Sequence, residues 1–533
     1  MTRRCLAALV LLVLTAGAAA AQDARSVLQA ASTAMGAATL KTIEITGNGG
    51  FVAGTGHSFT TRDDWPRSQI VSYTRTIDYD ARTSREDISS RTTGDYRDYG
   101  GRYDTFYDPP RAGLGPRQGR AISVVSGDFA WTEDAKGTAR APFRGYLYSK
   151  MPQAELGQLD IILTPHGFLK AAMAAGNATA TTLPVAGPAG GKVTIVSFTA
   201  FGKYRINGTI NSQNLVEAVQ TWIPNPVVGD LLYETVMSDY KDFGGVKYPA
   251  VMRFHQGDAR FDRGQNAKEV RVSAVKANVA APAVKLPNLD WKGTLVVFDK
   301  AESIKVGDGV WQITGGTHFS VAMEFRDFAV VVEAPMNEVR SLAVIAEVQR
   351  LMPNKPIRYM VQPHHHWEHA GGMRTYSAIG TTIVGHEGNR AFYENVVLSA
   401  TPRMMEPDIL SSMVPLSGRR PKVETTSSKY VISDGFRAME VYAADGFSHG
   451  GEMLLVYIPH EKIIVNSDLY SPTYFRGGEI IEVKPTHAMV ELQQAIERLK
   501  LDVGRHVAMH GRIGTQEEFL KVLASGTPGD DDY

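Results

Sequence analysis

Four histidines fall within six residues of this chain, in the string His364-His365-His366-Trp367-Glu368-His369. The apolar run Ile357 to Val361 and then Pro363 precede it, and Gly371-Gly372 follows at once. A short apolar run closed by proline reads as a buried strand. The histidines then occupy a strand-to-helix loop, where catalytic groups are commonly presented. Eleven of the 14 histidines lie at or after His318, so the chemistry is concentrated in the second half.

The texture of the chain divides in the same way. A helix is predicted from Ala24 to Ile43, on the spacing of Val27, Leu28, Ala31 and Met35. From there to about Val275, short alternating runs such as Thr42 to Asn48, Val193 to Phe201, Tyr204 to Asn211 and Val270 to Val275 predict a meandering antiparallel sheet. Residues 177–192 read as a loop of small residues. The stretch 281–289, within the Pro- and Ala-rich run that begins at Ala277, reads as a linker. Beyond it, strand-like runs (Thr294 to Phe298, Phe328 to Val332, Ile357 to Val361, Thr382 to Val384, Met453 to Ile458, Lys462 to Val465) alternate with helical stretches (Asn337 to Leu351, Met489 to Leu499), the pattern of α/β layering. With 533 residues, the chain exceeds what one core usually spans. The expected division is an N-terminal β-rich domain, 22–280, and a second domain, 290–533.

Residues 1–21 carry Arg3-Arg4, the apolar run Leu6 to Leu14 and the small residues Ala18 to Ala21, the pattern of a secretory signal. The run is too short for a transmembrane helix, and no later segment is long and uncharged enough to be one. A periplasmic or secreted protein is expected. Lys+Arg and Asp+Glu balance at 56 each, which offers no basic surface for nucleic acid. The single cysteine, Cys5, lies inside the signal, so any metal must be held by nitrogen and oxygen.

Neutral imidazoles with a nearby carboxylate suit zinc. Two arrangements fit the histidine string. As His365-x-x-Glu368-His369 it matches an inverted zincin motif, which needs a helix long enough to carry both histidines on one face. As His364-x-His366-x-Glu368-His369, alternate residues of an extended loop point one way and His369 turns in as a helix begins.

The second arrangement resembles the metal motif of the metallo-β-lactamase superfamily. Three further elements follow in the order that resemblance implies: Asp445-Gly446-Phe447-Ser448-His449, then Ile463-Ile464-Val465-Asn466-Ser467-Asp468, then Val507-Ala508-Met509-His510. The resemblance implies an αββα sandwich over 290–533 and a site for one or two zinc ions. His364, His366 and His449 would hold one ion. Glu368, His369 and His510 would hold the other, with Asp468 bridging, and Glu368 and Asp468 would serve catalysis. His318 falls where the family has a loop entering the metal pocket. The sequence departs from the pattern in Glu368, where the family has aspartate, and in Glu333-Ala334-Pro335, where it has Asp-Thr-Gly. One ion or two is therefore left open.

The implied function is a zinc-dependent hydrolase of a small-molecule substrate, in which metal-bound hydroxide attacks an ester, thioester or amide-like bond. A β-lactamase is one alternative, and an iron-dependent oxidase on the same ligands is another. A periplasmic lipid- or ligand-binding protein with a structural metal site is a third, since Asp239 to Pro249 and the strand after it resemble lipoprotein-carrier half-barrel domains. Tyr470, Tyr474 and Phe475 are candidates for lining a substrate pocket. His365, His386, His460, His487 and His506 have no place in the motifs.

Overall fold

The computed structural model describes residues 24–53, 67–92, 118–134, 136–140, 151–184, 191–257, 265–280, 284–289, 299–399, 403–417, 420–447, 449, 451–476 and 479–528. The signal-like residues 1–21 and the predicted strand Thr294 to Phe298 lie outside them. The protein is β-rich and mostly antiparallel, with several sheets.

The first helix is shorter than its periodicity predicts. It spans 24–34 and stops at Gly36, whose φ is +68° and whose added Cβ would meet the Gly245 carbonyl at 2.1 Å. Only glycine accepts that backbone without strain. Ile43, expected in the helix, is instead buried in the first strand.

Thirteen described strands, β1 (Thr42–Ala53) to β13 (Gln265–Ala277), form one antiparallel sheet. The order runs from β6 (Ala139–Arg140) back to β1, which pairs with β13, and then back through the numbering to β7 (Thr179–Pro184) at the other edge. β7 corrects the expected loop at 177–192: its threonines suit an extended edge, and Pro184 falls at its end, where an edge strand tolerates it. Helices Gln153–Ile162 and Pro165–Ala174 pack on this sheet. Phe168 of the second touches Gly208, where an added Cβ would come within 2.1 Å of the ring.

Two further sheets build the second half. The order of one is β14 (Glu302–Gly307), β15 (Val310–Thr314), β16 (Ser320–Glu324), β17 (Ala329–Val332), β18 (Ile357–Val361), β19 (Thr382–His386), β20 (Lys422–Thr426), with β17 to β20 parallel. The other runs β21 (Lys429–Ser433), β22 (Ala438–Phe447), β23 (Gly451–Ile458), β24 (Ile463–Val465), β27 (Arg505–Val507), β28 (Gly514–Thr515). A ribbon of β25 (Thr473–Arg476) and β26 (Glu479–Glu482) lies between the last elements.

Side chains alternate across these strands, as the pleat requires. Val330 and Val332 of β17 join an apolar cluster with Val456, Ile458 and Val465 of the other sheet. Ala329 and Val331 face the opposite way, into a cluster with Val344 and Val348 of helix Glu338–Leu351. Leu455 and Tyr457 of β23 face Leu492 and Ile496 of helix His487–Leu499. The cluster that holds Val331 also contains Ile206 and Val219 of the first sheet, so apolar packing continues across the expected linker. Arg403 joins the halves again, donating to the carbonyls of Asn225, Pro226 and Val227.

Candidate metal centre

β18 buries Ile357, Met360 and Val361 because it sits between β17 and β19, and two residues separate its end from the histidines. Gln362, fully buried, donates from Nε2 to the carbonyls of His364 (2.8 Å) and His369 (2.9 Å), tying the two ends of the histidine loop together. Leu454 of β23 donates its N–H to Pro363 O at 2.7 Å, which fixes the loop to the second sheet. The helical turn Trp367–Ala370 follows, with Trp367 as its buried anchor. Gly371 and Gly372 then press against the 333–341 segment: an added Cβ would lie 1.9 Å from Met336 O and 1.9 Å from Ser341 Oγ. A helix of four residues cannot carry an inverted zincin site. His365 accordingly turns away, its ring 6.5 Å from that of Phe392.

The remaining histidines converge. The His364 and His366 rings are 4.4 Å apart, and His449, in the connection from β22 to β23, is 5.3 and 4.9 Å from them. Asp468, just after β24, lies among them. Its Oδ2 is 2.9 Å from His369 Nε2, 3.2 Å from His449 Nε2 and 4.0 Å from His364 Nε2, and its Oδ1 is 3.2 Å from His510 Nε2. Donor atoms of three groups lie within 4.8 Å of one another: His364, His366, His449 and Asp468; His318, His369 and His510; and Glu368, His369 and Asp468. Each residue that sequence marked as a ligand belongs to at least one group.

The site fits a cation. Nε2 of His364 is buried and has no hydrogen-bond partner, which is costly unless something accepts its lone pair. Burial, and next to it the charge of His369, pushes the His364 pKa well down, so the ring is neutral and able to ligate. Burial would also lower His369, but Asp468 and then Glu333 override it and hold a proton there. Burial would raise Asp468, yet His369 and His510 keep it ionised.

Two participants were not readable as such. Glu333 replaces the expected aspartate, is fully buried, and places Oε1 3.0 Å from His369 Nδ1 and 2.5 Å from Ser467 Oγ. Glu333 and Ser467 both adopt positive φ, +72° and +51°, a strain that clusters at functional sites. His318 joins His369 and His510, having been read only as a pocket residue.

Other expectations resolve differently. Tyr470 is fully buried against His506 and Phe519, so it belongs to the core and not to a pocket. The side chains of Tyr474 and Phe475 lie outside the described ones. His506 is a core histidine, within 3.1 Å of Asn466 Nδ2 and 2.6 Å of Gln516 Oε1. His386 faces Asp445, and His460 is exposed beside Glu461.

No family model matches the sequence, and no curated protein matches it either. Solved structures do. The metallo-β-lactamase from Pontibacter korlensis is 18% identical, with a TM-score of 0.31, over 42% of this chain and 98% of its own. The metallo-β-lactamase from Hirschia baltica is 17% identical at 0.30, over 42% and 96%. FIM-1 from Pseudomonas aeruginosa, in a mono-zinc form, is 16% identical at 0.29, over 42% and 93%. Likeness at this level assigns no residue a role.

Proposed function

We propose that the chain is an exported, metal-dependent hydrolase. Its C-terminal half would be an αββα sandwich of the metallo-β-lactamase kind, with the N-terminal sheet as a separate domain up to the 281–289 linker. One observation carries the reading: imidazoles from three separate segments, the 364–369 loop, His449 and His510, surround the carboxylate of Asp468, with donor atoms within 4.8 Å. Convergence of this kind, inside a buried region, has no stabilising purpose that apolar side chains would not serve better.

In this reading zinc is the ion. His364, His366 and His449 would hold one, and His369 and His510, next to Glu368, would hold a second, with Asp468 within reach of both groups. Zinc so held supplies a Lewis acid and a nucleophile derived from water near neutral pH. The chain's own residues prepare the site. Thr317 O accepts from His510 Nδ1 at 3.0 Å, which sets the tautomer and leaves Nε2 as the donor atom. Ser467 Oγ, 3.2 Å from His364 Nδ1, orients that ring in the same manner. Glu368, buried beside His369 and Asp468, is placed to hold or release a proton as the leaving group departs. The bond attacked is an ester, thioester or amide-like bond. Residues 1–21 act as the export signal and deliver the enzyme to the periplasm or beyond.

The test is metal quantification on the purified protein, followed by assays with ester, thioester and β-lactam chromogenic substrates, with and without chelator. Bound zinc and hydrolysis that chelator abolishes are expected. Protein that takes up no metal and cleaves none of the three classes would end the proposal. Fractionation of expressing cells, with mass measurement of the mature N-terminus, tests export.

A further inference from the structure

The second metal position need not depend on the unusual Glu368. We infer that His318 is a metal ligand, which completes with His369 and His510 a three-imidazole position for the second ion beside Asp468. The inference rests on the metal-centre reading and deepens it.

His318 lies in the β15–β16 connection, far from the histidine string in sequence. It is 6% exposed, and its ring centroid is 4.1 Å from that of His510 and 5.2 Å from that of His369. Its donor atom falls within 4.8 Å of those of both histidines. Glu368, by comparison, shares its group with His369 and Asp468.

The arrangement is built on both sides of His318. Phe319 N donates to Met509 O at 2.9 Å, and His510 Nδ1 donates to Thr317 O at 3.0 Å. Gln312 Nε2 reaches Ala508 O at 3.0 Å from within β15. Two hydrogen bonds therefore lock the 317–319 loop to the 508–510 loop, a third ties β15 to the same segment, and the residue between the first two is His318. The Thr317 hydroxyl, 2.9 Å from His318 Nδ1, holds that nitrogen, as partners behind metal-binding imidazoles do.

Three neutral nitrogens and a carboxylate oxygen suit zinc, copper, nickel or iron and not magnesium or calcium. Glu368 is then released from ligation and is available for proton transfer.

The experiment strips the full-length protein with chelator and titrates zinc back against a chromophoric competitor, with cobalt absorption as a second signal. Parent, His318→Gln and Glu368→Gln proteins are compared, and the melting temperature of each stripped protein checks folding. The parent is expected to bind two ions. His318→Gln should keep the first and weaken the second at least about 100-fold, since even residues behind the ligands are worth 10–100-fold. Glu368→Gln should bind both within a few-fold of the parent. If His318→Gln binds the second ion as tightly as the parent, the inference is wrong while the metal-centre reading stands. A parent that binds no ion removes both. Should His318→Gln fail to fold, nitrogen-15 NMR of the histidine-labelled parent decides: the His318 ring must show a coordination shift on loading, and an unmoved signal overturns the inference.

Discussion

Glu333 Oε1 lies 3.0 Å from Nδ1 of His369, and both side chains are completely buried. The carboxylate stands behind the imidazole, on the side away from Asp468, so it sets which nitrogen faces the centre and makes that nitrogen a stronger donor. The shorter aspartate implied by the resemblance is not needed here. Glu333 leaves β17 at positive φ and reaches His369 directly.

Replacing Glu333 with glutamine removes this charge and keeps the shape. Metal affinity should fall by roughly 10–100-fold, the usual worth of such a partner. Competition titration measures it. An affinity within twofold of the parent would show that Glu333 serves only to fill space.

Asp468 is the shared anion of the site, within 3.2 Å of three histidines. Asp468→Asn should lose most bound metal and all hydrolysis. Zinc that binds only the folded state stabilises it by mass action, so chelator should lower the melting temperature of the parent. The same chelator should leave Asp468→Asn unmoved. An equal shift in both proteins would place the stabilising ion elsewhere.

His166 is a buried histidine of the first half. Its Nε2 donates to Met35 O at 3.0 Å, and burial lowers its pKa to about 4. The unfolded chain, near 6.5, takes up a proton first as pH falls. The stability this histidine contributes is therefore full above pH 6.5, declines as pH drops toward 4, and is gone below. This one group accounts for up to about 3 kcal/mol of that loss, at about 1.4 kcal/mol for each unit between the two values. His166→Gln, which keeps a donor, should unfold with a shallower slope between pH 6.5 and 4 in denaturant titrations. Parallel slopes would contradict the argument.

Arg403 bridges the expected domains. Its guanidinium donates to Asn225 O, Pro226 O and Val227 O, and Asp408 lies 3.6 Å from its Nε. Arg403→Met would leave these carbonyls buried without a donor, a loss on the order of 3 kcal/mol. Chemical denaturation should show it, either as a lower midpoint or as separation into two transitions. A change below about 0.5 kcal/mol, as at ordinary surface positions, would mean that the halves are joined by apolar packing alone.

The sequence by itself determined the chemical inventory and much of the element order. With no cysteine outside the first 21 residues, nitrogen and oxygen were the available donors. Period-two and apolar runs marked strands such as Tyr204–Ile210, Ile357–Val361 and Ile463–Val465 to within a residue, because a pleated strand writes its two faces into the chain directly. The spacing His364-x-His366 also carried its geometry, since alternate residues of an extended segment share a side. The tertiary structure decided what depends on contacts remote in sequence. Helix 24–34 ends early because Gly36 meets the Gly245 carbonyl, some 200 residues away. Tyr470 turns inward because Phe519 and His506 are there to receive it. Glu333 and His318 enter the centre because hydrogen bonds between loops bring them there, and no local period or spacing encodes a contact of that kind.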